Sequence, residues 1–334
     1  MRIHPTFVEG FELGEGEAAF LPAIREELAR LPAGTATVVD SPAEADVVWV
    51  IESGRYKCHR HGAILMDQPW MRRPTAPVVS LNYEDNPAGY LPGLYASLPS
   101  PRFIPDFHVG FCYGFPPALP AAPGLEGGGG QSVDRLLFSF RGAFSHPLRR
   151  ALVEEFGARS GPWSVRAVER WYNHTEAERL SYLEELLASD FVLCPRGIGT
   201  GTHRLFEVMA RGRCPVVLSD EWVPPEGVDW DSCSIRVPEA ELTKLPELLA
   251  ARCHEAAVLG ERAKAVWAAR FAPATRWGHA VELMRRLVAT GLPDPRRNPA
   301  LFLPRWKSRA FKRANGWLLS QRIRRRIGRL MKRT

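Results

Sequence analysis

Apolar positions along the chain follow two recurring rhythms. Residues 18–31 space Leu21, Ile24, Leu28 and Leu31 as a helix would, and Pro32 and Gly34 supply stop signals. Val47-Val48-Trp49-Val50-Ile51 is an unbroken apolar run, the pattern of a strand buried on both faces, and Val78–Leu81 repeats it. Strands alternating with helices over roughly the first 110 residues predict a parallel α/β sheet. Residues 115–132, FPPALPAAPGLEGGGGQS, interrupt the rhythm, because proline and glycine at this density sustain neither helix nor sheet. The alternation then restarts. Leu136–Phe140 reads as a strand, Arg141-Gly142 as a tight turn and Pro147–Phe156 as a helix opened by proline. Residues 176–188 form an amphipathic helix, Asp190–Cys194 a strand, Pro195–Gly201 a glycine-bearing loop, and Thr202–Arg211 a helix stopped by Gly212. Pro215–Leu218 and Ser234–Val237 are further strands, and 239–270 is mostly helical. The expected organisation is α/β, with two Rossmann-like lobes at 1–114 and 133–290. They are joined by the linker 115–132 and followed by a tail, 291–334.

Composition bears on partners more than on fold. Hydrophobic residues at 45% and charged residues at 24% of 334 exclude a disordered or fibrous chain. The net charge of +7 is local: residues 305–334 hold twelve Lys or Arg and no acid, leaving 32 basic against 37 acidic groups elsewhere, a balance of −5. Nucleic-acid binding by the body of the protein is therefore not expected. In the tail, Trp306, Ala310, Phe311, Ala314, Trp317, Leu318, Ile323, Ile327, Leu330 and Met331 recur at roughly helical spacing among the basic residues. A basic amphipathic helix suits an anionic membrane surface, with packing on the protein itself or RNA contact as the other readings. Residues 1–16 carry Arg2, Glu9, Glu12 and Glu15 without an apolar core, unlike a signal peptide. Six dispersed cysteines (58, 112, 194, 214, 233, 253) lack any Cys-x-x-Cys. They are expected to be reduced thiols of a cytoplasmic protein, peripheral at the inner face of the membrane if the tail binds there.

The richest stretch for chemistry is 191–218, FVLCPRGIGTGTHRLFEVMARGRCPVVL. A strand ends at Cys194, the chain turns through Gly197, Gly199, Thr200 and Gly201, and a helix follows with Thr202 as N-cap. Glycines allow close backbone approach, and free N–H groups with the helix dipole attract phosphate. Arg196 and Arg204 stand on either side of the loop as charges for a diphosphate, with His203 between loop and helix. Glu207, one turn into the helix, could accept hydrogen bonds from both hydroxyls of a ribose. The competing reading is an ordinary βα turn with Arg204 and Glu207 as a surface ion pair. Asp229-Trp230-Asp231 spells the Asp-x-Asp of metal-dependent sugar transfer, but its distance from the glycine loop points to a structural role.

This region resembles the exostosin-like glycosyltransferases. The resemblance rests on Cys194-Pro195-Arg196-Gly197, on Thr202-His203-Arg204-Leu205 with Glu207, and on Gly212-Arg213-Cys214-Pro215-Val216. It continues through Val217-Leu218-Ser219-Asp220, Val223-Pro224-Pro225 and Val228-Asp229-Trp230. Upstream it takes in Phe138-Ser139-Phe140-Arg141-Gly142 and Arg149. It spans about 136–249, and only Glu84-Asp85-Asn86-Pro87 carries it before the linker. It implies a two-lobed GT-B architecture with a nucleoside-diphosphate sugar, UDP-linked by default, on the C-terminal lobe. Arg141 and Gly142 join the donor-binding residues, and transfer goes to a saccharide or lipid-linked saccharide hydroxyl with inversion and without a metal or other cofactor. The absence of a second glutamate eight residues before Glu207, where Gly199 stands, agrees with inversion.

Inversion needs a base on the N-terminal lobe. Glu52, at the carboxyl end of the strand 47–51, is the first candidate, and Asp85, His59, His61 and Asp67 are its rivals. A non-catalytic nucleotide- or polyanion-binding module and a nucleotide-sugar epimerase are the alternatives.

Overall fold

The computed structural model describes residues 1–9, 15–52, 65, 67–85, 89–113, 135–169 and 174–292. The linker at 115–132, His59, His61, Asn86-Pro87 and the tail segment 305–334 lie outside them. The chain divides into two compact units, residues 1–112 with Trp277 onward, and residues 113–276. Among the described residues no helix is long and apolar enough to cross a membrane.

In the first unit β1 (Arg2–Phe7) leads through α1 (Glu15–Ala29) to β2 (Thr37–Val38) and β3 (Val47–Glu52), and the short α2 (Pro69–Arg72) precedes β4 (Val78–Asn82), β5 (Gly93–Tyr95) and β6 (His108–Gly110). These strands make one parallel sheet in the order β2-β1-β3-β4-β5-β6. The run 47–51 is buried throughout, as an unbroken apolar strand requires. Val48 and Val50 pack with Val78, Trp70, Met71 and Leu91, while Trp49 meets Trp277 edge-on at 6.1 Å.

In the second unit β7 (Leu136–Gly142), α3 (Pro147–Phe156), β8 (Trp163–Ala167), α4 (Glu176–Ala188), β9 (Ser189–Pro195), α5 (His203–Ala210) and β10 (Cys214–Leu218) alternate, and a 3₁₀ turn at Trp230–Ser232 leads to β11 (Ile235–Arg236). Their sheet is again parallel, ordered β11-β10-β9-β7-β8. Phe138, Phe140, Leu152, Phe156, Phe191, Leu193 and Val216 fill its core. The chain leaves β7 for β8 on one side and then lays β9 on the other. The winding therefore reverses between β7 and β9, and open parallel sheets hold ligands at such a point, beyond the carboxyl ends of the strands.

The segment 239–270 is mostly helical as expected, in short pieces: 3₁₀ turns at 239–244 and 253–255, α6 (Leu245–Ala251) and α7 (Ala256–Arg270). One expectation changes. The last described helix, α8 (Arg276–Ala289), belongs to the first unit from Trp277 on, instead of closing a lobe at 133–290. Its apolar stripe, Trp277, Ala280, Val281, Met284 and Leu287, is buried. Trp277 seats on Trp49, and Arg285 Nη2 donates to the Gly34 carbonyl at 3.1 Å.

Candidate functional site

The glycine loop 196–202 leaves the carboxyl end of β9, beside β7 and therefore at the reversal of the sheet. Thr202 takes the extended backbone of an N-cap (φ −150°, ψ 138°), but its side chain makes no capping bond. Thr202 therefore supplies no side-chain cap to the first turn of α5. Gly212, at φ +67°, ends the helix in the left-handed conformation that glycine tolerates. Gly197, Gly199, Thr200 and Gly201 are buried, while Ile198 is exposed. A Cβ on Gly197 would lie 3.0 Å from Ser145 Oγ and 3.1 Å from Arg149 Nη2, so the loops that follow β7 and β9 are in close contact there.

Arg149 braces this loop. Its Nε donates to the Arg196 carbonyl at 2.9 Å and its Nη2 to the Pro195 carbonyl at 3.2 Å. One turn earlier, His146 caps α3, its Nδ1 accepting from the Leu148 amide at 3.2 Å. Burial, with help from Arg196 and Arg149, holds that imidazole below its ordinary pKa, so it is neutral at pH 7.

The three arginines expected at the donor site are held differently. Arg141 alternates onto the sheet face covered by α4, where Nη2 lies 2.5 Å from Glu185 Oε2 and 3.2 Å from Ser181 Oγ. Arg196 Nη1 lies 3.3 Å from Glu221 Oε2 and 3.9 Å from Glu239 Oε1. Both guanidinium groups are therefore paired with carboxylates in this structure. Arg204 is held by neutral oxygens instead. Its Nε donates to the Tyr182 hydroxyl at 3.2 Å, its Nη2 to the Arg141 carbonyl, and its guanidinium lies over the Phe140 ring at 4.8 Å. Nη1 of Arg204 and Oγ1 of Thr200 are buried without a hydrogen-bond partner. Gly142 makes room for this packing, since a Cβ there would sit 3.3 Å from Arg204 Nη2.

Glu207 does not form the direct surface pair with Arg204 that the competing reading required. The Tyr182 hydroxyl lies between them, donating to Glu207 Oε2 at 2.9 Å. Burial raises the Glu207 carboxyl above its usual pKa against the pull of Arg204 and Tyr182, and burial raises the Tyr182 phenol as well. Burial also pushes the Cys194 thiol up to about 12, so it stays protonated and unreactive. His203 stacks on Tyr113, with ring centroids 4.0 Å apart. Sequence reasoning missed Tyr182, whose only signal was the apolar stripe of its helix.

In the first unit Glu52 ends β3 as expected, but it is wholly buried and accepts from Asn82 Nδ2 at 3.2 Å. A base must be reached by the hydroxyl that it deprotonates, so this placement goes against Glu52 in that role. Asp85 is only partly buried, three residues beyond β4, and Asp67 is exposed and pairs with Arg72 at 2.9 Å. Asp229 and Asp231 flank the buried Trp230, whose Nε1 donates to the Pro225 carbonyl at 2.8 Å. Among the described residues no group of three His, Cys, Asp or Glu could hold a metal ion.

Residues 103–251 match the model of the Exostosin GT47 domain. An exostosin-1 homolog of Caenorhabditis elegans is 40% identical over 90 residues, 26% of this chain and 24% of that protein. A probable glucuronosyltransferase of Oryza sativa subsp. japonica is 28% identical over 95 residues, 28% of this chain and 22% of that one. The matches span about a quarter of these relatives' length. Among solved structures, Anabaena HepE in complex with UDP aligns with a TM-score of 0.47 at 12% identity, covering 87% of this chain and 100% of that one.

Proposed function

We propose that this chain, exostosin-like over residues 103–251, is a glycosyltransferase that moves a sugar from a nucleoside-diphosphate sugar to a saccharide hydroxyl. One observation carries the reading. At the reversal of the second sheet, Thr200 Oγ1 and Arg204 Nη1 are buried without partners, beside a helix whose N-cap residue Thr202 makes no side-chain capping bond. Unsatisfied buried donors cost about 1–3 kcal/mol each, and an incoming phosphate would satisfy them. In this reading the amides of 197–203 and Arg204 hold the diphosphate and stabilise it as the leaving group. Glu207 takes the ribose hydroxyls. Arg149 holds the loop in shape, and Arg141 and Arg196 stiffen its surroundings through Glu185, Glu221 and Glu239. UDP is the first nucleotide to test, and the name of the rice relative, a probable glucuronosyltransferase, makes a uronic acid the first sugar. Direct displacement with inversion and without a metal remains the proposed course, with Asp85 in place of Glu52 as the proposed base. The basic tail is proposed to hold the protein at an anionic membrane surface on the cytoplasmic side.

Titration calorimetry with UDP, GDP and their sugars is expected to find micromolar binding to one nucleotide, weakened at least about tenfold in Arg204→Ala and Glu207→Ala. Asp85→Asn is expected to bind the nucleotide normally and lose turnover. A chain ending at Pro304 is expected to lose binding to anionic vesicles. Salt-sensitive polyanion binding without any nucleotide response would instead identify a binding module.

A further inference from the structure

Glu207 reaches its neighbours through one hydroxyl. Tyr182 lies on α4, two turns after the capping box in which Thr175 Oγ1 accepts from the Glu178 amide at 3.2 Å and Glu178 Oε2 from the Thr175 amide at 2.7 Å. That box sets where α4 begins and so which side chains it turns toward β7 and α5. The Tyr182 hydroxyl donates to Glu207 Oε2 at 2.9 Å and accepts from Arg204 Nε at 3.2 Å, using its single proton and a lone pair together. We propose that Tyr182 is the positioning residue of the nucleotide site, aiming the Glu207 carboxylate at a ribose while it turns the Arg204 guanidinium toward the phosphates.

This rests on the donor-site reading above. A phenol that accepts from Arg204 must point its own proton at Glu207, so one Glu207 oxygen is committed to Tyr182 and the carboxylate plane is fixed. Its remaining lone pairs are left for a diol. A rotating carboxylate would tell ribose from deoxyribose poorly. A held one discriminates, because a missing hydroxyl then leaves a buried acceptor unpaired. The charged and titratable groups facing Glu207 are Arg204 on its own helix, Tyr182 on α4 and Cys194 on β9. The first two favour the carboxylate, and the thiol stays neutral.

The test compares UDP with 2′-deoxy-UDP on the full chain as pH is varied. Wild type is expected to prefer UDP by about tenfold, with affinity falling as acid protonates Glu207. Tyr182→Phe is expected to bring that preference close to unity and to move the fall in affinity to higher pH, since a donor to the carboxylate is gone. In a Glu207→Gln background the same substitution should change the preference no further. If the phenylalanine variant melts early, 3-fluorotyrosine at 182 keeps the hydroxyl as a stronger donor and should move the pH midpoint down. A Tyr182→Phe chain with the wild-type preference and pH profile, or a fluorotyrosine chain with no shift, overturns this proposal alone. A wild-type chain that ignores UDP, GDP and their sugars alike overturns the donor-site reading with it, and one that binds only GDP moves the same comparison to GDP and 2′-deoxy-GDP.

Discussion

Glu207 sets a local conflict between stability and binding. Burial raises its carboxyl pKa in the folded protein above the ordinary value. The folded state therefore holds the proton more tightly than the unfolded chain. Stability is accordingly lost as pH rises from the ordinary carboxylate range through the raised folded value. Glu207→Gln removes this dependence while its amide oxygen still accepts from Tyr182. The variant is expected to melt at or above wild type at pH 8, with the gap closing as the pH falls. Its nucleotide affinity should nonetheless drop. Melting curves from pH 5 to 8 check this, and a variant that melts below wild type at pH 8 would show that the ionised carboxylate stabilises its surroundings.

At the scale of elements, the site is a contact between two strand-to-helix loops. Gly197 permits that contact, since the added Cβ of alanine would press on Ser145 Oγ and Arg149 Nη2 at 3.0 and 3.1 Å. Arg149 can yield by a few tenths of an ångström only by loosening its hold on the carbonyls of Pro195 and Arg196. Gly197→Ala is therefore expected to weaken UDP binding about fivefold, the size of a misfit near 1 kcal/mol, and to lower the melting temperature by only a few degrees. Equal affinity in calorimetry would mean that the loop's shape does not depend on this packing. Gly212 plays a different part. Its left-handed turn brings the chain against α7, where a Cβ on Gly260 would lie 2.3 Å from the Gly212 carbonyl oxygen.

For the whole molecule, the chain crosses from the first unit to the second and then returns, so the first unit is completed last. Trp277 is buried against Trp49. Trp277→Ala is expected to destabilise the first unit by about 3–5 kcal/mol, as removal of a large buried aromatic does. UDP affinity, which belongs to residues of the second unit, should be unaffected. Hydrogen exchange resolved by segment would separate the two, and equal loss of protection in both units would contradict this division.

How much was legible beforehand follows from where each signal resides. The apolar run 47–51, the strand 136–140, the helix 176–188 and the glycine loop with its flanking strand and helix all carry their signal locally. Apolar spacing, proline and glycine act within a few residues, so these elements were readable from the order of amino acids alone. Strands β2, β5 and β6, two or three residues each, and β1, interrupted by Pro5, carry no such pattern. They exist because neighbouring strands offer them a ladder. The same distinction divides the site. The loop and the identities of Arg204 and Glu207 belong to the sequence. Which arginines pair directly with carboxylates, which carboxylate can be reached and which hydroxyl joins Arg204 to Glu207 depend on residues 20 to 50 positions away. Only packing brings Tyr182, Glu185 and Glu221 to those side chains, because burial and hydrogen bonding are settled by neighbours in space.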